Sequence, residues 1–486
     1  MDEERYNAEA AAADLTEAGL LDGIVLAGPH GPEYREPENS TPDLVGGFAG
    51  AGLDSRTLVS GQLFVALKGD NVDGRDYISS VLEAGHWILA DHADRKPGRG
   101  LPVVGEMPAG TGILLTRDPN AALACLANAW RSRFDLRVAG ITGTNGKTTT
   151  KDLLAAMLRA AAPTWATVGN YNNRLGLPMT LLGLTAKHRY AVIEMGASKV
   201  GDIAGLAPLA APGTGVITNA SAAHLAEFES LENIILGKGE LLDALPASGC
   251  AVLNADSPGF GSWRDRAPCP VVSFGRAKAD HSWLWRHQGN DGWPEIEMDG
   301  QAWRVPLPGE HNGANLAAAL LAARSFGLAD ETIRAGLAGF TGSPHRGVLL
   351  EIEGRIVLDD CYNANPVSMV EAGRALRFLA GRGRVVAVLG AMAELGPDSA
   401  NIHEETGKEM AAGPVDLLIA VGEKAHPLGV GFDAGGGVSH NCADLEEAAR
   451  LAAFHTGPGD HLLIKGSRSV AMEELLPLLV EAFKKN

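Results

Sequence analysis

The stretch Arg137–Lys151, RVAGITGTNGKTTTK, decides how this chain is read. Val138–Ile141 is an apolar run leading into a glycine-rich turn. Lys147, Thr148, Thr149 and Thr150 then open a helical pattern that continues as DLLAAMLRA. Strand, glycine loop and helix, in that order, are what a phosphate-binding loop requires. Backbone N–H groups of Gly143, Thr144, Asn145 and Gly146 can face an anion at the helix N-terminus, where the dipole also favours negative charge. Lys147 adds a point charge for the β- and γ-phosphates, and the Thr148 hydroxyl, with Thr149 beside it, suits Mg²⁺. The spacing departs from the common pattern: five residues, not four, separate Gly140 from Gly146, and Gly143 sits among them. A plain Gly/Thr turn is the bland alternative. It leaves the coincidence of strand, Gly-Lys-Thr and helix unexplained.

Composition bounds the rest. A chain of 486 residues suggests about three domains. Hydrophobic residues make up 45% and mean hydropathy is +0.01, as for a soluble globular protein. The formal charge of −18 argues against a nucleic-acid binder, which usually shows a basic face. Five cysteines without CxxC or metal spacing read as reduced thiols of a cytoplasmic enzyme. No apolar run reaches about 18 residues, so no membrane span is expected. The acidic start MDEERYNAEAAAADL lacks a signal-peptide pattern.

Outward from the loop, the pattern alternates strand and helix. Upstream, an Ala-rich helix over about 7–20 precedes GPHGPEYREPENSTPD, read as a loop or flexible segment. Leu63–Leu67, 87–91 and 101–106 read as strands, Gly69–Gly74 as a turn, with a helix from Tyr77. Asp118–Phe134 is an amphipathic helix. Downstream, Tyr190–Ile193 is a strand with Glu194 at its C-terminal end, where ligands gather in open α/β sheets. That makes Glu194 a candidate Mg²⁺ ligand. TGVITNAS (214–221) and AVLNADSP (251–258) are further strand segments, LENIILGKGELLDAL (231–245) is a helix, and 270–308, with four tryptophans, reads as antiparallel hairpins at the sheet edge. Helix 307–328 has Asn312 at its start, a capping candidate. From 343 onward strands and helices alternate again, as in a doubly wound domain. Lys465 and Arg468, at the last strand's end, suit a carboxylate or phosphate.

GITGTNGKTTTK resembles the ATP loop of the Mur ligases, ATP-dependent enzymes that form the peptide bonds of peptidoglycan precursors. The resemblance covers roughly residues 50 to 480, motif by motif and in order. It implies three domains: an N-terminal UDP-binding α/β domain (1–135, with 1–40 set apart), a central P-loop ATPase with a mostly parallel sheet (136–342) and a C-terminal Rossmann-like domain (343–486). DSR…LFVALKG…DG resembles the UDP-binding signature, which implies Ser55, Arg56, Lys68, Asp73 and Gly74 as contacts. Arg56 and Lys68 also make physical sense against a diphosphate. The run GNYNNRLGLP implies that Asn170, Asn172 and Asn173 hold the muramoyl substrate, although loop asparagines are commonly turn formers.

The same resemblance implies His224 as a Mg²⁺ or phosphate ligand. It implies Lys238 as a lysine carbamylated by CO₂ that holds a second Mg²⁺, a modification favoured where burial near cations keeps the amine partly neutral. It places Asn315 at the adenine, Arg346 at the nucleotide phosphates and Asp360 at the ribose. Tyr362-Asn363-Ala364-Asn365-Pro366, with Glu394-Leu395-Gly396, His403 and the Lys465-Gly466-Ser467-Arg468 run, resembles the members that add D-alanyl-D-alanine, whose usual Asp-Met is Ala391-Met392 here. The expected substrates are therefore ATP, UDP-N-acetylmuramoyl-tripeptide and D-alanyl-D-alanine, and the expected state a monomer. Within the class, a ligase adding the third residue or a folylpolyglutamate synthase-like enzyme is the alternative. Outside it, the alternative is a regulatory P-loop NTPase, which has no need of an acceptor-binding domain.

Overall fold

The computed structural model describes residues 5–28, 31–37, 44–69, 72–91, 107–221, 228–286 and 293–485. Three large sheets follow one another along the chain. The first has six strands, and the order in space is Gly31–Arg35, Gly23–Gly28, Gly112–Thr116, Ile88–Asp91, Leu63–Ala66 and Ala51–Gly52. The segment read as a loop after the first helix therefore contains a strand. Gly31–Arg35 pairs antiparallel with Gly23–Gly28, and the Tyr34 hydroxyl donates to the Asp22 carbonyl at 2.9 Å. Its prolines misled the reading: Pro32 lies on an edge strand, where a missing N–H costs little. The segment 101–106, expected as a strand, lies outside the described residues. The helix expected from Tyr77 begins as a 3₁₀ turn at Gly74, capped by Asp73, and becomes α-helical at Ile78.

The second sheet has nine strands. Arg137–Thr142, which feeds the phosphate loop, lies inside it between Tyr190–Glu194 and Thr214–Ile217. All its strand pairs are parallel as far as His281–Arg286. Only the last two pairings, to Glu295–Met298 and Gln301–Arg304, are antiparallel. The hairpin expectation thus held for 281–304, whereas Val271–Gly275 continues the parallel core through Cys250–Asn254. Near-continuous apolar strands, such as buried Val138–Ile141 and Ala191–Ile193, are what a sheet covered on both faces demands. The helices Lys147–Arg159 and Glu310–Ser325 cover one face; the second carries the fully buried run Leu316–Ala323 save for a trace at Leu321. The other face packs on Leu231–Asp243, and this core runs on into the first unit through Pro119–Arg131. There Trp130 donates its indole N–H to the Leu184 carbonyl at 3.0 Å.

The third sheet has six strands, in the order Val348–Ile352, Arg355–Asp359, His461–Lys465, Val385–Leu389, Leu417–Val421 and Ser439–Cys442. Its first strand is antiparallel and the rest are parallel. Cores on both faces give the doubly wound arrangement. No helix among the described residues is long and apolar enough to cross a membrane.

Candidate active site

The phosphate loop folds as its glycines dictate. Gly146, the residue before the helix Lys147–Arg159, has φ +80°, and a Cβ there would stand 2.1 Å from Asn315 Oδ1. Gly143 has φ +147°, and a Cβ there would meet Thr218 Oγ1 at 1.9 Å. Both are left-handed positions in which side chains are strained. Asn145 is held from the neighbouring strand end: its N–H donates to Asn219 Oδ1 at 3.0 Å, and its carbonyl accepts from Thr218 Oγ1 at 2.6 Å. Thr144 Oγ1 accepts from the Ser221 N–H at 3.2 Å. Thr218 and Asn219 were not picked out from the sequence. Their position at a strand end beside the loop was the available signal.

Lys147 Nζ curls back to the carbonyls of Gly143 at 2.9 Å and Thr144 at 2.8 Å. Burial pushes its amine below the usual lysine range, with Glu194 opposing. The Thr148 hydroxyl donates to Glu194 Oε2 at 2.7 Å, and Asn172 Nδ2 donates to Glu194 Oε1 at 2.7 Å. Glu194 is only 2% exposed, and the charge near it is that of Lys147. Its two direct donors are neutral, and both of its oxygens face the cleft beside the phosphate loop. Hard oxygens from Thr148 and Glu194 suit Mg²⁺, which keeps several waters and needs few protein ligands. Among the described residues no three His, Cys, Asp or Glu side chains are grouped to hold a metal. His224 lies outside the described residues.

Lys238 sits mid-helix in Leu231–Asp243, 2% exposed, with Nζ 3.2 Å from the Ala197 carbonyl and 5.0 Å from the Phe228 ring centre. Burial, helped by Lys147, lowers its pKa to about 7, against the pull of Asp202 and Glu240. Such an amine is neutral part of the time at physiological pH, the condition for reaction with CO₂.

The loop asparagines divide their labour. Asn172 orients Glu194, while Asn173 Oδ1 accepts from Leu175 and Gly176 N–H groups at 3.1 and 2.9 Å, the local turn role. Asn170 is exposed on the cleft wall. Asn312 does not cap its helix. Gly309 precedes the first turn, and Asn312 instead donates to the Pro308 carbonyl at 2.7 Å and accepts from Asn315 at 3.0 Å. Asn315 faces the phosphate loop at Gly146.

The third unit closes over this loop. Asn365 caps the helix Pro366–Ala380 in a reciprocal pair with Ser368, and its Nδ2 donates to Asn145 Oδ1 at 2.9 Å. The Arg346 guanidinium stacks on the Tyr362 ring at 3.6 Å. Lys465, 2% exposed, is tied by Asp360 at 2.5 Å and by the Asn363 carbonyl at 2.8 Å. A cleft of about 800 Å³ results, lined by Thr144–Thr149, Asn170, Asn172, Asn173, Glu194, Asn315, Arg346, Asp360, Tyr362, Asn363, Asn365 and Lys465. Ser467 and Arg468 are not brought to it. The Ser467 hydroxyl is buried and accepts from the Ala393 N–H, while Arg468 points to solvent and pairs with Glu473. Buried His403 also has a scaffolding place: its Nε2 accepts the Met392 N–H at 2.9 Å and so holds the 390–394 loop. Ser55, Arg56, Lys68 and Asp73 lie apart from the cleft on the first unit. Arg56 pairs with Asp54 at 2.7 Å, and Asp73 with Arg75 at 2.5 Å.

Residues 48–131 match the Mur ligase family catalytic domain, 141–323 the Mur ligase middle domain and 345–468 the Mur ligase glutamate ligase domain. The UDP-N-acetylmuramoyl-tripeptide–D-alanyl-D-alanine ligase of Escherichia coli K12 is 35% identical, covering 88% of this chain and 93% of its own. The chain belongs to the Mur ligase family. Among solved structures, this Mur ligase is similar to MurF of Acinetobacter baumannii, with a TM-score of 0.80 and 29% identity over 97% of this chain and 98% of the other. MurF ligase of Thermotoga maritima in complex with ADP aligns with a TM-score of 0.76 and 29% identity over 92% and 100%. The three-domain α/β architecture is that of these structures.

Proposed function

We propose that this Mur ligase joins D-alanyl-D-alanine to UDP-N-acetylmuramoyl-tripeptide, consuming ATP and releasing ADP and phosphate. The observation that carries the reading is a single cleft lined by the phosphate loop, by Glu194 with its asparagine turn, and by the Tyr362–Asn365 segment. Relatives that bear this name match nearly the whole chain, and a similar structure holds ADP. We take the domains as 1–135, 136–342 and 343–486, and one of the three large sheets falls within each range, which supports the division. The first takes the UDP moiety through Ser55, Arg56, Lys68 and Asp73, and the last takes the dipeptide. We place the reaction in the cytoplasm and in a monomer.

The chemistry follows from charge. A carboxylate reacts with an amine only after its oxygen becomes a leaving group, so the tripeptide carboxylate is first phosphorylated to an acyl phosphate. The dipeptide amine then attacks the carbonyl carbon, and phosphate departs. Two anions must meet for the first step. Lys147 and the N–H groups of residues 143–146 supply fixed positive potential for the charge that develops. Thr148 and Glu194 would hold Mg²⁺, and His224 with carbamylated Lys238 a second ion, which when bound screens the phosphoryl oxygens. Closure by the Asn145–Asn365 contact keeps water from the acyl phosphate.

Phosphate release from ATP and Mg²⁺ tests this, with the tripeptide nucleotide present and the dipeptide added or omitted. Release that needs both and yields the pentapeptide nucleotide is expected. Release stimulated by a different acceptor would move the chain to another amide ligase. Release indifferent to every acceptor would point to an NTPase switch.

A further inference from the structure

A second lysine follows the phosphate-loop lysine by one helical turn. Lys151 is 3% exposed, yet its amine faces away from the cleft. Its Nζ donates to the Thr167 carbonyl at 2.7 Å and pairs with Asp152 Oδ1 at 2.9 Å. The far side of each partner is also engaged. Thr167 Oγ1 accepts the Glu194 N–H at 2.9 Å, beside the carboxylate that meets Thr148. Asp152 Oδ2 accepts the hydroxyl of Ser343.

Ser343 belongs to the crossing into the third unit, where the backbone is left-handed at Gly342, His345 and Gly347, with φ +84°, +62° and +71°. Non-glycine residues rarely adopt such angles, and His345 is held in place by Asp359 at 2.8 Å and by its carbonyl, which accepts the Tyr362 N–H at 3.0 Å. The crossing is thus fastened to the third unit by His345 and to the phosphate-loop helix by Ser343. Hydrogen bonds run from Ser343 through Asp152 and Lys151 to the Thr167 carbonyl, and from the Thr167 hydroxyl to the backbone N–H of Glu194.

We propose that Lys151 and Asp152 are positioning residues that tie the angle of the interdomain crossing to the placement of the Glu194 carboxylate, so that the metal position is complete only when the third domain is closed. A buried lysine is costly unless its donors are satisfied, and nothing in the cleft uses this one. The proposal rests on the ligase reading for its kinetic consequence but not for its binding consequence.

The experiment compares wild type with Ser343→Ala, Asp152→Asn and Lys151→Met, with Ser343→Thr as the conservative control that keeps the hydroxyl. Calorimetry measures ADP affinity as a function of Mg²⁺ without any acceptor, and steady-state ligation measures kcat and the Mg²⁺ requirement. Ser343→Ala and Asp152→Asn should each weaken Mg²⁺-dependent ADP binding and lower kcat by about fivefold or more, the size of a typical site-to-site coupling. Affinity for ADP without Mg²⁺ and KM for the dipeptide should hold, and Ser343→Thr should restore wild-type values. Lys151→Met should have the largest effect; should it fail to fold, the two milder variants still decide. Unchanged Mg²⁺ dependence in both, with or without lost thermal stability, overturns the inference. A wild type that binds Mg²⁺ and ADP but ligates nothing would sink the ligase reading and leave the binding comparison in force.

Discussion

Gly146→Ala should damage the phosphate loop by an amount the structure lets one work out. At φ +80° an L-residue costs about 1–2 kcal/mol relative to glycine. The new Cβ would also stand 2.1 Å from Asn315 Oδ1. Asn315 must then swing away and lose its 3.0 Å bond to Asn312, worth about 1 kcal/mol net. The sum is roughly 2–3 kcal/mol, of which only the second part involves Asn315. Thermal or urea unfolding measures this, and calorimetry with ATP should separately show weaker affinity, because a displaced loop no longer aims its N–H groups at the phosphates. The pair Gly146→Ala and Asn315→Ala should be less than additive by about 1 kcal/mol, because the smaller side chain removes the clash. Strict additivity, or a Gly146→Ala variant within about 0.5 kcal/mol of wild type, would refute the reasoning.

Two further outcomes are expected. Activity at saturating bicarbonate should rise as pH climbs through about 7, where buried Lys238 becomes neutral and can react with CO₂. The folded pKa lies below that of the unfolded chain, so Lys238 costs stability below about 7 and the cost disappears as pH approaches the unfolded value near 10.5. A pH–rate profile with Lys238→Met as control checks this, and a profile flat from pH 6 to 8 in wild type would contradict it. Asn365→Ala removes both the helix cap and the 2.9 Å contact to Asn145. It should lower stability by about 1 kcal/mol and, separately, reduce kcat more than KM for ATP, which steady-state kinetics at saturating dipeptide would show. Asn365→Asp, which keeps the cap but not the amide donor, should recover stability and not rate.

Much of the fold was legible because its signals are local. The run RVAGITGTNGKTTTK carries strand, loop and helix within fifteen residues, and glycine positions that require left-handed backbone are visible as glycines. The apolar periodicity of Asp118–Phe134 likewise marked its helix, which the structure has as Pro119–Arg131. Pro32, Val271–Gly275 and Asn312 were misread because an edge position, a parallel partner and a bond to Pro308 are all supplied by other parts of the chain.

The division at the site has the same cause. By itself the sequence singled out Lys147, Thr148 and Glu194 as candidates for phosphate and metal, because they sit at strand ends or at the start of a helix, and those places follow from periodicity. Only the tertiary structure decided which of them converge. It brought Asn145 to Asn365 across 220 positions, sent Arg468 to solvent against Glu473, and turned Lys151 to the Thr167 carbonyl while Asp152 beside it met Ser343 at the crossing. Direction is set by packing between units, and packing between residues far apart in the chain leaves no local periodic trace.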